Sequence, residues 1–455
     1  MPFLLKGVEK VLIYDNFNNI SNTKACKPCL IYGETQLTYQ EFIEQVNELA
    51  GRLAARIKKG DRVIVRLAEP VKQLLYFYGI IKAGGVCILI DAATSYEICA
   101  NIIEEQKTAF TIDDKCKLPS EQALLPEIKQ NDIFLGALSS GSTGTPKVIW
   151  RDHQSWTGAF PSQSQVFGIG SEDVLFLAGS LAYTANLNAC LHVLSEGGTV
   201  VLASSTLPRT WLKEMNRHHV TAIFMVPANY RILIKVIKSP LTELRSIVSG
   251  GAKLDRATVQ NLVRVFPCSR IVEYYGASEL GHVSYSTAGD ILAHPESVGK
   301  AFPNVMITIE ENIIWVESPY LAPKYRPKAT VGDLGKIDEA GYLYLLGRKN
   351  GMINTGGIKV IPEEVEAVLR QHPGIVDVAV AGIDDQLRGQ RVCAWIVRNK
   401  ANVLAADILD FCHKKMRAHY CPQKIVFVDA IPLNVNGKVD KWRLNSDGVL
   451  TSPGF

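Results

Sequence analysis

Residues 138–153 read LSSGSTGTPKVIWRDH. Seven small or hydroxylated residues, Ser139, Ser140, Gly141, Ser142, Thr143, Gly144 and Thr145, precede Pro146 and Lys147. That composition suits an oxyanion: glycines let backbone N–H groups turn toward it, hydroxyls add donors, and the lysine adds charge. It is not a Walker A loop, because no Gly-Lys-Ser/Thr ends it. By itself it is also the composition of a solvent-exposed turn. Other residues with chemical potential lie downstream: Tyr275, Ser278 and Glu279 in EYYGASELG (273–281), Asp333 after Gly332, Arg348, and Lys438 in PLNVNGKVDK (432–441). Each has a plain alternative: a core aromatic, a helix-end charge, a turn-forming aspartate, a solvated lysine. Gly276-Ala277-Ser278-Glu279-Leu280-Gly281 nearly spells a serine-hydrolase nucleophile elbow, but Leu280 stands where the glycine should be.

The elements that must position these residues follow a βαβα rhythm. LTYQEFIEQVNELAGRLAARI (37–57) has apolar residues at helical spacing, with Thr38 and Glu41 spaced as a capping box. KKGDRVIVRL turns at Gly60-Asp61 into a β-branched strand, and LLYFYGIIKAGGVCILID repeats helix, glycine break and strand. VLFLAGS, GGTVVLAS, TAIFMVP and LRSIVSGG continue the pattern. The loop itself follows the strand-like NDIFLGAL and precedes a helix around HQSWTGAF. This predicts an α/β fold, with mixed or parallel sheets and packed helices in a large N-terminal domain over 1–347. GDLGKIDEAGYLYLLGR has a hairpin signature at Asp-Glu-Ala-Gly. Residues 348–351 read as a hinge, and 352–455 as a small α+β domain with helices at PEEVEAVLRQH and AADILDFCHKKM.

At 455 residues the chain calls for more than one core, and 47% apolar with 21% charged residues is a globular composition. A formal charge of +4 argues against a nucleic-acid binder. No apolar run is long enough to span a bilayer, and Lys6, Glu9 and Lys10 break the N-terminal stretch that a signal peptide would need. Of ten cysteines only Cys26 and Cys29 have C-x-x-C spacing, with no second pair or nearby histidines for zinc. Reduced cytoplasmic thiols are the expectation.

Taken in order, these motifs resemble the adenylate-forming superfamily of acyl- and aryl-CoA synthetases, stand-alone adenylation domains and luciferases. The resemblance runs from LTYQEF onward through the Ser139–Lys147 loop with His153 behind it, SGGAKL (249–254), EYYGASELG, GDLGKIDEAGYLYLLGR, INTGGIKVIPEEVE (353–366) and PLNVNGKVDK. It implies that a carboxylate attacks the α-phosphorus of ATP, giving an acyl adenylate and pyrophosphate. A pantetheine thiol, of coenzyme A or of a carrier protein, then takes the acyl group. It also implies roles. Ser139 to Gly144 with Lys147 would hold the β/γ-phosphates, and Glu279 and Ser278 would hold Mg²⁺. Gly250, Gly251, Ala252, Tyr275 and Gly276 would frame adenine. Asp333 would take the ribose, Arg348 would add a ribose or phosphate contact, Lys438 would bridge carboxylate and α-phosphate, and Gly356, Gly357 and Lys359 would line the thiol tunnel.

The chain departs from the family pattern at several places. Val148 replaces the usual glycine after the loop lysine, Val331 replaces a small hydroxyl residue, Ser278 replaces threonine, and Asn350-Gly351 alters the hinge. In GSLAYTANLNACLHVLSEGG (179–198) no aspartate is present to hold an α-ammonium, so the substrate resembles a carboxylic acid without an α-amino group. Tyr183 would be a gate or pocket wall; Asn186 and Asn188 are either pocket polar groups or helix-start caps. The expected partner is a small acid, with a carrier protein as the alternative acceptor, and the protein would be a monomer or homodimer.

Overall fold

The computed structural model describes residues 12–139, 147–348, 351–355, 358–385, 389–399, 403–416, 418, 420–433, 439–440 and 443–444. The chain divides into two compact units: Met1–Ile307 with Val316–Ala329, and Thr308–Trp315 with Thr330–Phe455.

Fourteen strands of the larger unit build its two main sheets: β1 (Pro28–Tyr32), β2 (Thr35–Thr38), β3 (Arg62–Val65), β4 (Val86–Leu89), β5 (Phe110–Ile112), β6 (Ile133–Ser139), β7 (Lys147–Asp152), β8 (Val174–Leu177), β9 (Thr199–Leu202), β10 (Ala222–Met225), β11 (Ser246–Gly250), β12 (Arg270–Ala277), β13 (Gly281–Thr287) and β14 (Lys300–Ala301). They form a nine-stranded sheet, β14-β13-β12-β11-β10-β8-β9-β1-β2, and a five-stranded one, β5-β3-β4-β6-β7. From β12 through β8 and β9 to β1 the pairs are parallel. Residues of β9, β10 and β11 are buried at every position, as continuous Val, Ile and Leu runs become when helices cover both faces.

Local chemistry sets the helix starts. Thr38 Oγ1 accepts from the Glu41 N–H while Glu41 Oε2 accepts from the Thr38 N–H at 2.8 Å, completing the expected capping box of helix Tyr39–Ala54. Glu69 caps helix Pro70–Lys82, whose first residue needs no N–H partner because it is proline. Helix Thr184–Glu196 is buried along most of its length and ends at Gly197, where φ is +81°. Its Cys190, Leu191, Val193 and Leu194 join the same core as Phe42, Phe77 and Phe134. The helical segment expected after the loop is present, but β7 comes first, and the helix is split into Gln154–Thr157 and Phe160–Phe167.

In the smaller unit, strands Asp333–Ile337 and Leu343–Arg348 pair antiparallel. Asp338 Oδ1 accepts from the Ala340 and Tyr342 N–H groups, and Gly341 takes φ +84°, which makes the predicted turn. A second sheet runs in the order Ile358–Val360, Ile353–Thr355, Gly389–Arg398, Ile375–Asp385, with Lys424–Phe427 parallel beside Gly389–Arg398. Val365 and Leu369 of helix Pro362–Leu369, and Ile408 and Cys412 of helix Ala405–Lys415, pack on its Val378, Val380, Val392 and Ile396. The expected large α/β part and small α+β part are therefore both present. All ten cysteines are free thiols. Among the described residues no helix is long and apolar enough to cross a membrane.

Candidate active site

Ser139 and Lys147, which flank the hydroxyl–glycine segment, end two antiparallel strands. Strands β6 and β7 pair from Ile133↔Asp152 to Ser139↔Lys147, so the chain leaves the sheet at Ser139 and returns at exposed Lys147. Ser140, Gly141, Ser142, Thr143 and Gly144 lie outside the described residues, as does the side chain of Ser139. Because a strand and not a helix follows, no helix N-terminus is joined directly to this loop, unlike the Walker arrangement.

The hairpin explains Val148. A Cβ on Gly136 would lie 2.9 Å from Val148 Cγ1, 2.9 Å from the Trp150 ring and 2.8 Å from Ile88 Cγ1. Val148 and Trp150 fill the space above a bare Gly136, so the β-branched residue after the loop lysine is matched by a glycine on the facing strand.

Behind the loop a buried cation ties the hairpin to the EYYGASELG segment. Arg151 is 2% exposed; its Nη1 donates to the Ser278 carbonyl at 2.9 Å, and its Nη2 to the Ser155 and Tyr320 carbonyls at 3.0 and 2.7 Å. Burial pushes its pKa down to about 9, against the pull of Asp152. Asp152 in turn takes both Nη atoms of Arg326, at 2.9 and 2.8 Å. His153 is a core residue: its ring stacks on Phe134 with centroids 4.8 Å apart, its Nδ1 accepts from the Ile13 N–H, and burial holds it at about 4.

Ser278 and Glu279 occupy the tight turn between β12 and β13. Gly276 is required there, since any Cβ would strike the Gly281 carbonyl. The turn is antiparallel strand to strand, whereas a nucleophile elbow joins a strand to a helix. Ser278 Oγ meets the Thr184 hydroxyl at 3.3 Å rather than an imidazole, so the hydrolase alternative loses its geometry. The Glu279 carboxylate is near enough to help raise the Tyr325 pKa, after burial, and to act on Arg151. A lone carboxylate of this kind is a donor set magnesium takes, with substrate phosphates and water completing its shell.

The 249–254 segment is anchored from below. Glu273, buried in β12, accepts from Lys253 Nζ at 2.6 Å and from the Leu254 N–H. Gly250 lies against the Tyr274 ring, and Gly251, at φ +86°, faces the Tyr183 hydroxyl with no room for a side chain. Ala252 is exposed and Tyr275 half-buried. Asn186 spends its amide on the Ser180 carbonyl at 3.0 Å, bracing the turn before the helix. Asn188 instead lines a cavity, of about 290 Å³ including its open mouth, whose walls include Phe167, Phe224 and Tyr274. Three further polar side chains line it that the sequence argument did not single out: Gln163, His192 and His282. Gln163 had a readable signal, since it falls on the buried stripe of its helix with Phe160, Val166 and Phe167.

In the smaller unit Asp333 and Arg348 are directly opposed across their hairpin, with Arg348 Nε donating to Asp333 Oδ1 at 2.6 Å. Asp333 is 5% exposed. Gly332 at φ +80° donates its N–H to Thr330 Oγ1, which supplies the hydroxyl expected at Val331 from one residue earlier. Leu433 and Val439 bridge antiparallel around 434–438; Lys438 lies outside the described residues, as do Lys349, Asn350, Gly356, Gly357 and the side chain of Lys359.

Comparison with known proteins agrees with this anatomy. The uncharacterized acyl-CoA ligase YhfT of Bacillus subtilis is 29% identical, over 95% of this chain and 97% of that protein. The long-chain-fatty-acid–CoA ligase FadD13 of Mycobacterium tuberculosis is 26% identical, over 92% and 95%. Among solved structures, o-succinylbenzoate CoA synthetase (MenE) of Bacillus subtilis, in complex with the acyl-adenylate intermediate OSB-AMP, superposes with a TM-score of 0.82. That likeness covers 98% of this chain and 100% of that one at 21% identity, and it is one of fold. The model of the AMP-binding enzyme matches residues 17–125 and 113–325, and that of the AMP-binding enzyme C-terminal domain matches 364–438. On these matches the chain belongs to the AMP-binding enzyme family.

Proposed function

We propose that this enzyme joins a carboxylic acid lacking an α-amino group to coenzyme A, in two steps that consume ATP. A carboxylate oxygen first attacks the α-phosphorus; the bond to the bridging oxygen breaks and pyrophosphate leaves with the electron pair. The thiol sulfur then attacks the acyl carbon, its proton is released, and AMP leaves as the C–O bond breaks.

The observation that carries this reading is the tether from Arg151, on the strand leaving the Ser139–Lys147 loop, to the carbonyl of Ser278, the residue before Glu279. The strand that returns from the loop is thereby tied to the turn that carries the carboxylate, as positioning of two anions requires. The loop with Lys147 holds the β/γ-phosphates. Glu279 and Ser278 hold Mg²⁺, which when bound offsets phosphate charge. Gly250, Gly251, Ala252, Tyr275 and Gly276 frame adenine. Asp333, oriented by Arg348, accepts from the ribose hydroxyls. Lys438 bridges the carboxylate and α-phosphate, and Gly356, Gly357 and Lys359 line the path of the pantetheine arm, where glycine allows close approach to backbone. Residues 348–351 act as the hinge between 1–347 and 352–455. Tyr183 and Asn186 shape the acid site from behind, and Asn188 reaches it.

Coenzyme A is the acceptor favoured over a carrier protein, because YhfT and FadD13, each aligned over more than nine-tenths of this chain, are named as CoA ligases. Both co-substrates, ATP and coenzyme A, are available in the cytoplasm, where we place the reaction. A panel of carboxylic acids in a pyrophosphate-release assay, with and without coenzyme A, tests the proposal. Exchange of pyrophosphate into ATP with no acid of the panel would overturn it, and acyl transfer only to a carrier protein would overturn the acceptor.

A further inference from the structure

We infer that the acid bears an uncharged hydrogen-bonding group, a hydroxyl, carbonyl or amide, away from its carboxylate, and that Gln163 and His282 recognise that group. The inference rests on the ligase reading above. The cavity beside Asn188 opens against the helix that carries Asn188 and His192.

Its polar lining is unsatisfied in a specific way. Gln163 is 0% exposed, and neither its amide oxygen nor its amide nitrogen has a hydrogen-bond partner. His282 is 6% exposed and its Nε2 is likewise unpartnered. Buried polar atoms are nearly always paired, so three unpartnered atoms on the wall of one cavity indicate that something entering it completes them. His192 shows the contrast, because its Nε2 already meets Ser164 Oγ at 2.8 Å.

The charge of the guest follows from what the lining lacks. Among the described residues no Lys, Arg, Asp or Glu side chain borders the cavity. Burial holds His192 and His282 at about 3, so both imidazoles are neutral. Arg151, whose charge also acts on His282, does not border the cavity, and its Nη atoms are committed to three backbone carbonyls. A second carboxylate or an ammonium on the acid would be buried without a counter-charge. A hydroxyl can both donate to and accept from an amide and a neutral imidazole, and a carbonyl can accept from either. The remaining wall, with Phe167, Phe224 and Tyr274, suits an aromatic or aliphatic body.

The test is ATP–pyrophosphate exchange by the full chain on matched acids: benzoate against hydroxybenzoates, phenylacetate against hydroxyphenylacetates, hexanoate against 5-oxohexanoate, and adipate. At least one neutral polar acid should exceed its parent in kcat/KM by roughly tenfold to a hundredfold, the worth of one or two net hydrogen bonds. Gln163→Leu should cut that ratio at least fivefold, by raising KM for the polar acid and improving use of the parent. His282→Phe is the second variant, which keeps the ring stacked among its aromatic neighbours should the first fail to fold. Parent acids or adipate used as well as the polar ones, or a ratio unmoved by either variant, would overturn the inference. If no acid in the panel supports exchange, it is the ligase reading itself that falls, and the pocket assignment with it.

Discussion

Three buried imidazoles make the larger unit sensitive to mild acid. Burial holds His153 at about 4 and His192 and His282 at about 3, against an ordinary value of 6.5. The folded chain therefore keeps all three neutral, while the unfolded chain protonates them as pH falls. The folded pKa values lie below the unfolded one, so their contribution is fully present above about pH 6.5 and lost as pH falls toward the folded values. Between about pH 7.5 and about pH 5 each histidine costs roughly 1.5 pKa units, or about 2 kcal/mol, giving about 6 kcal/mol for the three. Against a net stability of about 5–15 kcal/mol, that loss is a large share. His192→Gln removes one titration and leaves an amide for Ser164. Its packing cost is the same at both pH values and cancels in the difference, so the variant should lose about 2 kcal/mol less than the parent between them. Amide hydrogen exchange of the central strand Ala222–Met225, read by mass spectrometry at the two pH values, measures this. A variant whose pH-dependent loss equals that of the parent would refute the assignment of the acid lability to this buried ring.

Asp333→Asn should raise the KM for ATP about tenfold while changing the KM for the acid little, because one charge-assisted acceptor to the ribose is lost; initial rates at varied ATP check it, and an unchanged KM for ATP counts against the ribose role. Lys438→Ala should sharply slow adenylate formation yet leave thiolation of preformed adenylate near its parent rate, as a group acting only in the first step must; equal losses in both half-reactions, followed by single-turnover chemistry, would remove that role. Gly136→Ala should destabilise by about 1–3 kcal/mol through overpacking against Ile88, Val148 and Trp150. Adding Val148→Gly should recover part of it, and a double-mutant cycle from denaturant midpoints that shows simple additivity would contradict the contact.

Features with short-range causes were legible in the chain. The Thr38–Glu41 capping box, the Asp338–Gly341 turn and the buried β9–β11 strands need only neighbouring hydrogen bonds and apolar runs, and each formed where residue types predicted. The hydroxyl–glycine loop could be placed between a strand and a helix, but its return as β7 could not. KVIWRD alternates poorly because Arg151 and Asp152 are buried charged residues. Their pairing with carbonyls of 278 and 320 and with Arg326 is what lets them be inside. Ser278 could resemble a nucleophile in one dimension; only the hairpin between β12 and β13 removed that reading.

By itself, then, the sequence determined the α/β class, the order of the motifs and the residue types available for phosphate and carboxylate chemistry, because propensity, capping and periodicity are local. Tertiary structure alone decided which of those residues share an environment. It set the guanidinium of Arg151 against the Ser278 carbonyl 127 residues away. It also brought Gln163, Asn188, His192 and His282 to one cavity and left two of them unpartnered. Desolvation and hydrogen-bond satisfaction depend on what the rest of the chain packs around a group, and that is written in no short stretch of residues.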